Sequence, residues 1–385
     1  MKPFPEARFA IHSCDAAETG QERIPMNIAR IAGSYLSRNQ PSYLVLFVTS
    51  MCNAKCDFCF YGGEVACSNR KKQELTKEEF RRISEKCGNI PYLLISGGEP
   101  VLRDDLFEII SFYVDNAHSQ FVTVPSNGLS RERSFDLFSG LTQKYPGCHF
   151  RAAFSIDHHD ENHDISRGVE GCLESVLETT AAINELKKTR KNLTMDIVSV
   201  FLNSPLQNHD SLRQWIREKT AADNHELHLL RPEWPQISHP GHDPREFIKE
   251  LARYRNASTA RENRRFSPFF RGLNSLYIKG LEKIVAGRLL SSCTAGRKFA
   301  VISETGQVRL CECRDDVLGD LRANDYDLKK ILHKSRGFMK YVRDSGCKCT
   351  WECAVSCNLV CDPRFAPSLM VETLKQAMIS RKRAV

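Results

Sequence analysis

Three cysteines lie within eight residues of one another in Thr49–Phe60, which reads TSMCNAKCDFCF: Cys52, Cys56 and Cys59, spaced C-x3-C-x2-C. Three thiolates this close can wrap one metal centre. Structural zinc sites normally close with four ligands, and the one rival nearby is Cys67. Three cysteines instead suit a [4Fe–4S] cluster with one iron left uncapped, and an uncapped iron is a place to bind a substrate. A zinc knuckle is the other reading of the same residues. A second group lies far down the chain. Cys293 and Cys311 bracket CTAGRKFAVISETGQVRLC, and CKCTWECAVSCNLVC holds Cys347, Cys349, Cys353, Cys357 and Cys361. The last four recur every four residues, so on a continuous helix they would share a face.

The chain has 16 cysteines in 385 residues. The N-terminus lacks the apolar stretch of a signal peptide, and the early apolar run Tyr43–Val48 falls far short of the ~20 residues a spanning helix needs. No membrane span and a cytoplasmic location are therefore expected, where disulfides rarely persist. Metal or redox chemistry then accounts for the clustering, while Cys14, Cys67, Cys87, Cys148 and Cys172 default to core or surface thiols. A hydrophobic content of 41% and a charged content of 26% exclude disorder, collagen and coiled coil. The formal charge is +8, but the basic runs, KKTRK at 187–191 and RKRAV at the end, carry no interleaved aromatics. Nucleic acid is not an expected partner.

The elements that must hold these residues alternate from Tyr43 to Arg231. Strands are expected at Tyr43–Thr49, Ile90–Ile95, Phe121–Val124, Phe150–Ile156, Leu193–Leu202 and Glu226–Leu230, rich in Val, Ile, Leu and Phe as for strands buried on both faces. Helical patterns lie between them: Thr76 and Glu79 form a capping box, and Asp104 and Asp105 open a second helix. Six βα units of roughly 31 residues each fit a parallel sheet, either a barrel or doubly wound. In both, the reactive edge is the set of loops after the strand C-termini. Glu246–Leu290 reads as a polar helical connection, and Asp325–Val342 as an amphipathic helix. The histidines 225, 228, 239 and 242 read as surface or substrate-loop residues rather than metal ligands.

A C-x3-C-x-aromatic-C loop after the first strand of a βα repeat, with Phe58 in the aromatic place, resembles the radical S-adenosylmethionine (SAM) superfamily. The resemblance implies a partial (β/α)6 TIM-type barrel. It implies that Cys52, Cys56 and Cys59 hold a [4Fe–4S] cluster whose open iron chelates the amino and carboxylate groups of SAM. It further implies reductive cleavage of SAM to methionine and a 5′-deoxyadenosyl radical, which abstracts hydrogen from a substrate. An electron donor of flavodoxin or ferredoxin type goes with it.

Further motifs follow in the family's order. Ser96–Pro100 reads SGGEP; glycines let backbone come close to a ligand, and Gly97, Gly98 and Glu99 match the motif that holds the SAM amino group. Ser126–Gly128 reads SNG, where relatives carry a Thr-Asn-Gly type turn, so Ser126 and Asn127 join the site; a simple turn is the other reading. Ser155–Asp157 reads SID, where relatives bond the ribose hydroxyls; Asp157 as a loop cap is the alternative. His163–Gly168 reads HDISRG, and its Arg167 would pair with the SAM carboxylate by a forked contact; a surface arginine is the alternative. Val200, with Val198, would flank adenine, although core packing is expected of at least one of them.

A hairpin with a cysteine at each end, then a helix, then closely spaced cysteines resembles the SPASM or twitch extension of radical SAM enzymes. The implied ligands are Cys293, Cys311, Cys349 and Cys353, with Cys347 as rival. A full SPASM has a C-x2-C-x5-C-x3-C run; this chain has C-x-C-x3-C-x3-C-x3-C. One auxiliary [4Fe–4S] cluster is therefore expected, with two clusters or a zinc module as alternatives. Cys313, Cys357 and Cys361 are then spare or second-cluster ligands. The expected organisation is an N-terminal extension over 1–42, a radical SAM core over 43–235, a helical connection over 236–290 and a Cys-rich α+β auxiliary domain over 291–385. The expected reaction oxidises, epimerises or rearranges a small hydroxylated metabolite. A maturase acting on a ribosomally made peptide is the alternative, disfavoured because only about 42 residues precede the first strand, too few for a leader-binding domain of helices and sheet. A non-catalytic metal protein that binds nucleic acid is the remote third reading.

Overall fold

The computed structural model of the protein describes residues 33–34, 40–62, 73–202, 207–230, 244–257, 267–288, 293–312, 314, 316–337 and 349–383. Six parallel strands alternate with helices. They are β1 (Tyr43–Phe47), α1 (Lys77–Cys87), β2 (Tyr92–Ser96), α2 (Leu106–Asn116), β3 (Phe121–Ser126), α3 (Arg131–Lys144), β4 (His149–Ser155), α4 (Asn162–Arg167), α5 (Cys172–Thr189), β5 (Leu193–Phe201), α6 (His209–Lys219) and β6 (Asn224–Leu229). Next come α7 (Pro244–Ala257), α8 (Ser267–Val285), β7 (Phe299–Ile302), β8 (Gln307–Arg309), β9 (Val317–Asp320), α9 (Leu328–Lys334), α10 (Glu352–Cys361) and α11 (Ala366–Arg383). The sheet order is β6-β5-β4-β3-β2-β1-β7-β8-β9, with β6 and β9 at its edges. The first six strands make an open, partial (β/α)6 barrel.

Each strand sends alternate side chains to opposite faces. On the outer face Leu44, Leu46, Ile95, Val124 and Ile197 pack with Phe80, Ile83, Ile110, Phe138 and Val176 of the helices. On the inner face Val45 and Phe47 meet Phe299, Val301, Trp351 and Cys357. Helix α1 starts as its sequence dictates: Thr76 and Glu79 form the reciprocal capping box.

Several boundaries differ from expectation. The second strand begins at Tyr92 rather than Ile90, because Pro91 has no N–H to give to the ladder. The third runs past Val124 to Ser126. Pro125 is tolerated there because the register with β2 stops at Thr123, so β3 is paired on one side only at that point. Ser126 thus ends a strand instead of opening a turn. The connection after the barrel is two helices, α7 and α8. The amphipathic segment after Asp325 forms α9, started by Asp327 accepting from the Lys330 N–H at 3.0 Å; residues 338–348 lie outside the described set. The C-terminal hairpin joins the barrel sheet: β7 lies parallel to β1, pairing Tyr43 with Phe299 and Leu46 with Ile302. Aromatic rings at the strand starts stack across this junction, Phe299 on Tyr43 at 5.3 Å, Tyr43 on Tyr92 at 5.4 Å and Tyr92 on Phe121 at 4.8 Å.

Leu46 is fully buried in β1, which is paired on both sides. Leu46→Ala is expected to cost about 2–5 kcal/mol of unfolding free energy, read from a urea denaturation curve.

Candidate active site

The cysteine loop leaves β1 at the strand C-terminus, and backbone contacts clasp it from two sides. From the turn after β2, the Gly98 N–H donates to Thr49 O at 2.8 Å and the Glu99 N–H to Met51 O at 2.7 Å. A Cβ on Gly97 would lie 2.3 Å from Thr49 O, and one on Gly98 2.2 Å from Met51 O. Both positions therefore require glycine. From the other side, the Lys55 N–H donates to Arg167 O at 2.9 Å. Gly168, at φ 62°, packs so closely that a Cβ would meet Lys55 O at 2.8 Å. Glu74 and Arg103 fix the start of the loop. Glu74 accepts from the Ser50 N–H at 2.7 Å, the Ser50 hydroxyl at 2.8 Å and the Thr49 hydroxyl at 3.1 Å. Arg103 donates to Val48 O at 2.6 Å and Leu75 O at 2.8 Å, and pairs with Asp105 at 2.6 Å. Sequence reading missed both residues, which belong to no motif; their role comes from contacts across 24 to 55 positions of chain.

Cys52, Cys56 and Cys59 are partly exposed free thiols. Burial pushes the Cys52 thiol up to about 11 and also raises Cys56 and Cys59, with the Arg167 charge pulling Cys56 and Cys59 back down. Donors aim at the sulfurs. The Ala54 N–H lies 3.4 Å from Cys52 Sγ, Asn127 Nδ2 4.0 Å from the same atom, and Arg167 Nη1 3.7 Å from Cys56 Sγ. Soft thiolates with N–H donors around them are a donor set that suits an iron–sulfur cluster. Among the described residues no group of three or more His, Cys, Asp or Glu side chains is arranged to hold a metal ion. Cys67 lies outside those residues.

The predicted cofactor residues gather around this loop. Glu99 is buried; it accepts from the Asn127 N–H at 2.7 Å and from the Val101 N–H at 3.4 Å, and bonds Ser126. Burial lifts its carboxyl to about 7 against those donors. Asn127 also donates to Asn53 at 2.8 Å, tying the third strand's turn to the cysteine loop. Arg167 and Asp157 are committed to each other: Asp157 Oδ2 accepts from Arg167 Nε at 2.8 Å and Nη2 at 2.5 Å, while Oδ1 accepts from the Val200 N–H at 2.8 Å. Arg167 also lies over the Phe58 ring at 5.2 Å. Asp157 is fully buried, so here it braces Arg167 and the Val200 backbone. Ser155 and Val200 remain half-buried at the ends of β4 and β5. Behind them, His163 accepts from the Asp157 N–H at 3.2 Å, and burial depresses its pKa to about 4.

The second cysteine group borders the inner face of β1. Cys293, Cys311, Cys349, Cys353, Cys357 and Cys361 all join the buried cluster that Cys59 also touches. The Ala295 N–H donates to Cys293 Sγ and the Trp351 N–H to Cys349 Sγ, each at 3.4 Å, the same two-residue turn that Cys52 makes with Ala54. The Tyr43 hydroxyl donates to Cys353 Sγ at 3.2 Å. Cys357 and Cys361 stand 3.8 Å apart on α10. Cys347 and Cys313 lie outside the described residues. Of the four histidines, His225 bonds Ser199 at 2.8 Å and His228 meets Glu226 at 3.4 Å; His239 and His242 lie outside the described residues.

Comparison with known proteins agrees with this geometry. Residues 46–216 match the Radical SAM superfamily. A 104-residue stretch, 26% of this chain, is 34% identical to a GTP 3′,8-cyclase of Edwardsiella ictaluri (strain 93-146). That match spans only 32% of the relative's length. SuiB of Streptococcus suis, solved bound to precursor peptide SuiA, superimposes with a TM-score of 0.55 at 15% identity, covering 82% of this chain and 69% of that one. This likeness is one of fold. Native anSMEcpe with bound AdoMet aligns over 88% of this chain and 99% of its own at 16% identity and a TM-score of 0.49. Among the described residues, no helix is long and apolar enough to cross a membrane. The cysteine loop, the glycine turns and the parallel strands all lie within or beside residues 46–216, the part of the chain that matches the Radical SAM superfamily.

Proposed function

We propose that this chain is a radical SAM enzyme acting on a small hydroxylated metabolite, with Cys52, Cys56 and Cys59 holding a [4Fe–4S] cluster and SAM bound beside it. The observation that carries the reading is the cysteine loop, clasped by backbone contacts from Gly98 and Glu99 on one side and from the Arg167–Gly168 turn on the other. Cluster and SAM together supply a 5′-deoxyadenosyl radical able to abstract hydrogen from an unactivated carbon. The protein's own part is binding and orientation. Glu99 receives the SAM ammonium, Asn127 and Ser126 hold Glu99 in place, and Arg167 takes the carboxylate while Asp157 fixes its guanidinium. Ser155 faces the ribose and Val200 flanks the adenine.

An auxiliary [4Fe–4S] cluster in the 291–385 segment fits the second cysteine group. The matching N–H···S turns at Cys293 and Cys349 and the Tyr43–Cys353 bond support Cys293, Cys349 and Cys353 as ligands, with Cys311 from the hairpin end. Residues 43–235 are then the catalytic core and 236–290 its connection to that segment. A flavodoxin- or ferredoxin-type protein in the cytoplasm is the proposed electron source.

Anaerobically purified protein is expected to hold about eight iron atoms with one auxiliary cluster, four to each cluster. It should release 5′-deoxyadenosine from SAM when reduced. Changing Cys52, Cys56 and Cys59 together to Ala should remove four of the irons and abolish that release; zinc without iron, or cleavage that survives the triple change, refutes the assignment. Gly98→Ala, whose new Cβ strikes the Met51 carbonyl, should lower iron incorporation, while circular dichroism still reports the barrel.

Glu99 provides a pH test. Its folded pKa of about 7 lies above its ordinary value of 4.5. Between those values the folded SAM-free protein keeps a proton that the unfolded chain releases, so this residue's stabilisation is complete below about pH 4.5 and declines as pH rises to 7. The stability of Glu99→Gln relative to wild type should therefore climb across that interval and level off above it, as measured by denaturant unfolding at a series of pH values.

A further inference from the structure

The inner face of the barrel is divided. Register pairs Val45 with Leu94, Leu94 with Thr123, and Thr123 with Arg151, placing these residues on one face. The same face continues through Thr194, Asp196, Val198 and Val200 of β5 to Asn224, Glu226 and His228 of β6. Barrel interiors are usually filled by branched apolar side chains. Here the β1–β2 side is mainly aliphatic and aromatic, but β4, β5 and β6 line the interior with an ion-pair chain. Arg151 donates from Nε to the buried Asp196 and from Nη2 to Glu226 at 2.6 Å. Asn224 donates to the other Asp196 oxygen at 2.9 Å, and His228 Nε2 stands 3.4 Å from Glu226 Oε2.

Two features make this more than filling. The first is graded exposure: the Asp196 side chain is 3% exposed, Arg151 28%, Glu226 38% and His228 39%, so the chain is anchored in the wall and ends on half-exposed side chains. The second is position. Glu226 is the register partner of Val198 and His228 that of Val200, one strand spacing, about 4.8 Å, from the valines assigned to the adenine. Ser155 lies in the same row as Val198 and Glu226. A molecule within reach of the adenosyl group therefore meets Glu226 and His228. With His228 neutral, two carboxylates against one guanidinium leave this wall with an excess negative charge, although the whole chain carries +8. Arg151 is committed to both carboxylates, so the wall offers acceptors.

We propose that the β4–β6 wall recognises the substrate, and that Glu226 and His228 take it through hydrogen-bond donors, hydroxyl or ammonium groups, and discriminate against phosphate. The place of that ligand beside the adenosyl group and the reaction performed on it rest on the radical SAM reading; the preference of the wall for hydrogen-bond donors rests on its own ion pairs.

The test is calorimetric titration of the cluster-loaded, SAM-bound protein, without reductant, using glucose, glucosamine and glucose 6-phosphate as shape-matched probes. Glucose or glucosamine should bind at least about tenfold more tightly than glucose 6-phosphate, the scale of a hydrogen bond to a charged group. Whichever of the two binds better identifies the donor as hydroxyl or ammonium. Glu226→Gln and His228→Asn should each weaken that binding by about tenfold. His228→Asn leaves the Arg151–Glu226 pair in place and covers the case in which Glu226→Gln fails to fold. Glucose 6-phosphate binding as tightly as the others, no binding by either uncharged or amino sugar, or unchanged affinity in folded variants overturns the proposal. Wild-type protein that releases no 5′-deoxyadenosine under reduction would overturn the radical reading and leave this result standing.

Discussion

The site depends on one constraint: a cysteine loop must be held by neighbouring backbone at distances no side chain allows. Gly97 and Gly98 bring the turn after β2 against Thr49 and Met51, and Gly168 brings the end of α4 against Lys55. Amide hydrogen bonds join the surfaces at both places. A loop held mainly through backbone leaves its side chains available, and here the available side chains are thiols. Glu74 and Arg103 complete the arrangement by tying the first residues of the loop to the chain that precedes α1 and follows β2.

The polar groups around the loop are held by one another. Asp157 is fully buried and would be costly to bury as a lone anion; Arg167 and the Val200 N–H satisfy its two oxygens. Arg167 in turn is covered by the Phe58 ring and reaches Cys56. Glu99 is buried with donors on both oxygens, and burial lifts its carboxyl to about 7, while the less buried Glu79, bonded by Arg322 and Thr76, falls to about 2. A cationic group placed beside Glu99 would reverse that shift.

Strand β1 links the two cysteine groups. Its C-terminal end carries the first loop, its outer face packs on the helices, and its inner face contacts the C-terminal segment through Tyr43, Val45 and Phe47. Because β7 adds parallel to β1, the hairpin between Cys293 and Cys311 extends the barrel sheet at the edge that six strands leave open. The Tyr43 hydroxyl, at the other end of the strand, reaches Cys353.

The fold class and the cysteine loop were legible in the sequence because both are local. Near-continuous apolar runs separated by helical periodicity require a parallel sheet. C-x3-C-x2-C puts three thiols on one loop whatever surrounds it, and glycines at 97 and 98 mark a close approach without saying to what. The second strand was expected to start at Ile90 and the third to end at Val124, and both boundaries lie beside a proline whose effect depends on which neighbour is hydrogen-bonded at that point. Nothing in the chain order marks Glu74, Arg103 or Glu226, and His228 stood out only as one of four histidines read as surface or substrate-loop residues. Their roles arise from register and from contacts between distant segments, and register is a property of the assembled sheet. Chain order alone carries the kind of chemistry at the end of β1. That Asp157 braces Arg167, that the hairpin joins the sheet, and that an acidic wall faces the barrel interior follow from the assembled fold, because each depends on which strand lies beside which.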